Sequence, residues 1–115
     1  MAGAITIAGN LTGLAQGSVT VALTIIPNAN NNYAETAVTL ASGANTVTVP
    51  CWAAGCIITP PTNNTQTITL KGVTGDTGVA ISETAPTLMT FTTPPASFVL
   101  TAGGATSAVT SIAFF

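Results

Sequence analysis

The sequence predicts an all-β domain, an antiparallel β-sandwich of about eight strands with a jelly roll as the leading arrangement. Three observations carry this expectation. Apolar and polar residues alternate with period two along most of the chain, no long stretch carries a helical period, and turn residues recur about every ten positions. Composition points the same way. Charged residues make up 3% of the chain and hydrophobic residues 47%, so the charge of an ordinary domain, about 25% of residues, has been replaced by neutral polar side chains, threonine above all. Threonine and valine are β-branched, and their stiff side chains suit a half-buried pleated surface. At 115 residues the chain has the size of one domain, able to bury roughly two-thirds of its unfolded surface. Without a linker, a low-complexity tail or an internal duplication, residues 1–115 read as a single sandwich.

The elements follow in order. In SVTVALTII, Val19, Val21, Leu23 and Ile25 alternate with Ser18, Thr20, Ala22 and Thr24, which predicts a strand over residues 18–26. Pro27 stops it, and NANNN, rich in residues that tolerate left-handed backbone and bond their own main chain, is a loop. A strand resumes over residues 33–40, ASGAN turns, and TVTVP sets Val47 and Val49 on one face before Pro50 ends the pairing. CWAAGCII leads into the stiff loop TPPTNN, after which TQTITL turns Ile68 and Leu70 inward. Beyond a turn come VAIS, TLMTFT and SFVLTA, each closed by Pro or Gly, and finally TSAVTSIAFF. Aromatic residues are scarce at 5%. A core built largely from small side chains contributes less burial per residue, at roughly 25 cal/mol per Å², so contacts between subunits are expected to supply part of the stability.

Charge excludes several functions. With a net charge of -2, one Lys, no Arg and no His, the chain lacks the positive field that neutralises phosphates or anionic lipid, so nucleic-acid and polybasic membrane-surface binding are not expected. No apolar run approaches the roughly 18 residues of a transmembrane helix. MAGAITIAGN has neither the positive nor the apolar region of a secretory signal, which points to synthesis in a cytoplasm. Near-zero charge weakens self-repulsion and favours association of copies.

The chemistry-bearing residues are few. TLKGVTGDTGVAIS holds the only cation, Lys71, with Asp76 and Glu83 close behind. Its glycines, Gly72, Gly75 and Gly78, match no phosphate-binding fingerprint and read as turn residues supplying positive φ, with Asp76 bonding backbone N–H groups two residues further on and able to pair with Lys71 across the turn. Cys51 and Cys56 flank WAAG and are expected as free, buried thiols, with a bridge as the alternative. Two Cys without His cannot complete a zinc site or activate a thiol. Glu35, Asp76 and Glu83 offer carboxylates, yet one Trp and one Tyr are thin provision for a sugar cleft. No catalytic, metal or cofactor-binding residue and no small-molecule substrate is therefore expected. Trp52 reads as a core or interface anchor, and Phe114 and Phe115 as an apolar end tucked into the core or a neighbouring subunit. The N-x-T triplets at Asn10 and Asn63 are expected in any Thr-rich chain.

With these residues in view, the chain resembles the small, neutral, Thr- and Ala-rich β proteins of tailed-bacteriophage virions, head decoration (cement) proteins in particular. TLKGVTGDTG looks like a turn segment of such proteins. The resemblance implies a jelly-roll or related sandwich, commonly a homotrimer, seated on the major capsid protein and reinforcing the shell by non-covalent contacts in the virion. It also implies an extended N-terminal arm in some members, and MAGAITIAGN is at most a short one. Two other roles fit the residues: a tail or fibre module binding a receptor or glycan through NANNN and PPTNN, and a filament subunit pairing through edge strands.

Overall fold

The computed structural model describes residues 5–14 and 17–25 as backbone and residues 32–115 in full. Its strands are β1 (Ile5–Leu14), β2 (Gly17–Ile25), β3 (Ala34–Val38), β4 (Gly43–Thr48), β5 (Gly55–Thr59), β6 (Ile68–Lys71), β7 (Val79–Ile81), β8 (Thr87–Thr90), β9 (Ser97–Ala102) and β10 (Thr110–Phe114). No described residue is helical.

Pairing from β3 onward is nested. β3 pairs with β10, β4 with β9, β5 with β8 and β6 with β7, all antiparallel. The segment is thus one long hairpin folded at the β6–β7 turn, and rolling it up adds the contacts of β5 with β10 and β6 with β9. Two four-stranded sheets result, in the orders β3-β10-β5-β8 and β4-β9-β6-β7. This is the strand order of a jelly roll. Apart from the β6–β7 hairpin, every connection between β3 and β10 crosses from one sheet to the other.

Alternation explains the core. One sheet turns Val47, Ile68, Phe98, Leu100 and Ala102 inward, and the other supplies Cys56, Ile58, Ile112 and Phe114. Leu40, Val49 and Ala53 join them from the connections. Small residues among the large ones let the sheets approach closely.

Several expected boundaries move, each for a local reason. The strand expected over 33–40 ends at Val38 because Leu40 leaves the sheet: its N–H donates to Thr106 Oγ1 (3.0 Å) and its carbonyl accepts from the Thr106 N–H (2.9 Å). The ASGAN turn is shorter than expected, since β4 already starts at Gly43, whose φ of 91° only glycine adopts readily. Asn45 then staples the turn, accepting from the Ala41 N–H and donating to the carbonyls of Ala41, Gly43 and Leu100.

The strand expected over 18–26 is β2, displaced to begin at Gly17; Ile26 and residues 28–31 of the NANNN loop lie outside the described residues. The N-terminal segment, expected as at most a short arm, is instead the ten-residue strand β1. It pairs antiparallel with β2 from Ile5↔Ile25 to Leu11↔Val19, with a register shift before Leu14. Gly9 and Gly13 break the alternation of this segment, so its own pattern is weak and the pairing with β2 organises it. Among the described residues neither strand of this ribbon pairs with a strand of the sandwich.

Candidate functional site: the charged turn and the open side of the sandwich

In the two sheet orders β8 and β7 are terminal strands, so one side of the sandwich is closed by no strand pairing. A groove of about 690 Å³ opens there. Leu70 and Lys71 of β6, Gly78 and Val79 at the start of β7, Met89 of β8 with Phe91 just after it, Pro95 in the β8–β9 connection and Phe98 of β9 line it. Both sheets contribute, and the lining is mostly apolar. Val79, at 66% exposed, and Val73, at 63%, leave further apolar surface on the same turn and strand.

The charged turn forms one wall. A single Asp76 oxygen, Oδ2, accepts from the N–H groups of Gly72 (3.1 Å) and Val73 (3.0 Å), while the Asp76 N–H donates to the Val73 carbonyl (3.1 Å). The carboxylate therefore closes the turn on itself, bonding N–H groups that precede it in the chain. Of the three glycines only Gly78 has positive φ, 75°. A methyl group there would meet the Leu70 carbonyl and the Lys71 stem. At Gly72 it would meet Asp76 Oδ2 instead, so that glycine admits the carboxylate. Among the described residues Lys71 forms no ion pair; the pairing with Asp76 that the spacing allows is replaced by bonds from Asp76 to the main chain. Lys71 is left half-buried in the groove wall with its stem against Gly78.

The other singled-out residues lie elsewhere. Phe114 and Phe115 are both 2% exposed, in the core and at its margin. Phe115 is held by the main chain, its N–H donating to the Gly55 carbonyl and its carbonyl oxygen accepting from the N–H groups of Ala54 and Gly55. Trp52 is half-buried in the β4–β5 connection and packs on the core, which leaves it the most accessible of the three anchor residues. The cysteines are free, as the residues predict; Cys51, however, is exposed, and only Cys56 is buried. Burial pushes the Cys56 thiol up from its ordinary value of 9.0 to about 12.

Reactive groups do not converge. Glu35 on the terminal strand β3 accepts a hydrogen bond from Ser111 Oγ (2.8 Å). Glu83 follows β7, and its carbonyl accepts from Asn64 Nδ2. Asn64, in the PPTNN loop, is turned inward and also bonds both main-chain groups of Gln66. Among the described residues no three Cys, Asp or Glu side chains come together. What sequence reasoning missed is the groove itself. Its signal lay in Met89 and Phe91, two positions apart and so on one face, beside a Pro-rich connection.

Set against family models, curated proteins and solved structures, the chain matches none of them.

Proposed function

We propose that this chain is a structural protein of a virus particle, a capsid decoration or cement subunit that reinforces the shell as a homo-oligomer. The observation that carries the reading is the exterior of the jelly roll. The chain has one cation and three carboxylates, and Asp76 is committed to its own turn. Along β4 the exposed positions are Ala44, Thr46 and Thr48, all neutral. A surface of this kind repels its own copies weakly and offers many Thr and Asn hydrogen bonds and small apolar contacts, the chemistry of an adhesive repeated over symmetric positions. The trimeric state, the major capsid protein as partner and residence in the virion after cytoplasmic synthesis belong to the same proposal.

A receptor- or glycan-binding role through PPTNN is less well supported, because the Asn64 amide is spent on internal hydrogen bonds. Copy number separates the two roles. A cement subunit is expected near the stoichiometry of the shell protein in purified particles, measured by quantitative mass spectrometry. A few copies per particle would favour a tail or fibre role, and absence from particles would refute both.

A further inference from the structure

We propose that the open-side groove binds a monoanionic amphiphile, a long-chain carboxylate, with its head group on Lys71 and its chain along Met89 and Phe91. The proposal goes beyond the shell-reinforcing role and does not depend on it. It departs from the expectation that the chain takes no small-molecule ligand, because the groove exists only once the two sheets have stacked. At about 690 Å³ the groove falls within the roughly 300–1,000 Å³ of small-molecule sites, which combine a mostly apolar lining with a few polar groups that fix orientation. Leu70, Met89 and Phe91 are each half-buried and packed against the core, so the fold itself positions the apolar wall.

Charge decides the class of ligand. The one cationic side chain among 115 residues stands in the wall of this groove. It is half-buried, its stem lies against Gly78, and among the described residues it has no ion pair. None of the three carboxylates completes it. Asp76, the nearest in the chain, gives Oδ2 to the N–H groups of Gly72 and Val73. Glu35 is on β3, at the opposite edge of its sheet from β8, and Glu83 lies past the end of β7 remote from the turn. Residues 1–31 contain no ionisable side chain, so that segment brings no anion to Lys71. A ligand with one negative charge and an apolar body matches what the groove offers. An ion pair partly removed from water is stronger than one in open solvent, and each methylene the groove covers strengthens binding by up to about four-fold. The Asp76 carboxylate on the same wall disfavours a dianion, which leaves a monoanion such as a carboxylate.

The test uses the full chain with decanoate and two ligands of the same length, decanol and decylammonium, read by titration calorimetry and by amide shifts in isotope-labelled protein. Decanoate is expected to bind about five-fold tighter than decanol, with decylammonium weakest and with shifts at Gly78, Val79 and Met89. Lys71→Gln is expected to bring decanoate down to the affinity of decanol, a loss of about five-fold, and to leave decanol unchanged. Val79→Asp, at the exposed groove edge, is expected to weaken decanoate and decanol alike. Amide spectra unchanged away from the groove check that both variants keep their fold. No binding of decanoate, equal affinity of the wild type for decanoate and decanol, or shifts that leave the groove residues unmoved overturns the proposal. Unmoved groove residues are the result expected if residues 1–31 of the chain itself fill the groove. The shell-reinforcing role stands or falls separately, on copy number in particles.

Discussion

Thr110 and Thr106 show how differently one side chain behaves when its hydroxyl is or is not satisfied. Thr106 Oγ1 accepts from the Leu40 N–H and donates to the Ala108 carbonyl (3.1 Å), tying the β9–β10 connection to the end of β3. Thr110 is fully buried, and its Oγ1 has no partner. A buried hydroxyl without a partner costs about 1–3 kcal/mol. Thr110→Val, which keeps the shape and removes the hydroxyl, is therefore expected to raise the urea midpoint, with a gain of about 1 kcal/mol. Thr106→Val is expected to lower it by about 1–2 kcal/mol, because the Leu40 N–H loses its partner. The cysteines supply a second prediction. Cys51 is exposed and Cys56 buried, so a thiol reagent is expected to modify one cysteine in the folded protein and both after unfolding. The folded state holds the Cys56 proton up to about pH 12, while the unfolded chain releases it near 9.0. Between these values the native state binds more protons, so stability falls as pH rises through that window. Cys56→Ala is expected to flatten this slope in denaturation measured across alkaline pH; an unchanged slope would remove the assignment.

At the scale of elements, the β6–β7 turn is the fold point of the rolled hairpin, and its glycines are not equivalent. Gly78 holds positive φ and has no room for a methyl group, so Gly78→Ala is expected to cost about 1–3 kcal/mol. Gly75 has open space around it and is absent from the positive-φ residues; Gly75→Ala is expected within about 0.5 kcal/mol of wild type. Thermal unfolding of the two variants checks the contrast. Much of this architecture was legible in advance. Period-two alternation located the strands around Val47, Ile68 and Phe98 because each has one buried face, and a pattern of that kind survives in a single sequence. The jelly roll was expected as an arrangement, but which strand pairs with which was not legible, since that depends on which distant strand each edge meets. β1 escaped because Gly9 and Gly13 thin its pattern. The turn's electrostatics were half legible: Asp76 was expected to bond main-chain N–H groups, and it does, but on residues preceding it, and this removes the ion pair with Lys71. The groove was illegible for a related reason, being assembled from β6, β7, β8 and β9 only once the sheets have stacked.

Taken as a whole, the molecule combines a jelly roll poor in charge, an open apolar side and the two-stranded β1–β2 pair. Under the proposed shell-reinforcing role, association between copies would be governed by apolar burial and shape, with few charges to steer or oppose it. Such association responds weakly to salt, because screening acts on charge pairs and the chain has almost none. The most direct measurement is the native mass of the purified full-length protein by sedimentation equilibrium at about 0.1 M and about 1 M salt. A closed oligomer of the same size at both concentrations is the predicted result. A monomer throughout, or an oligomer that falls apart as salt rises, would contradict it.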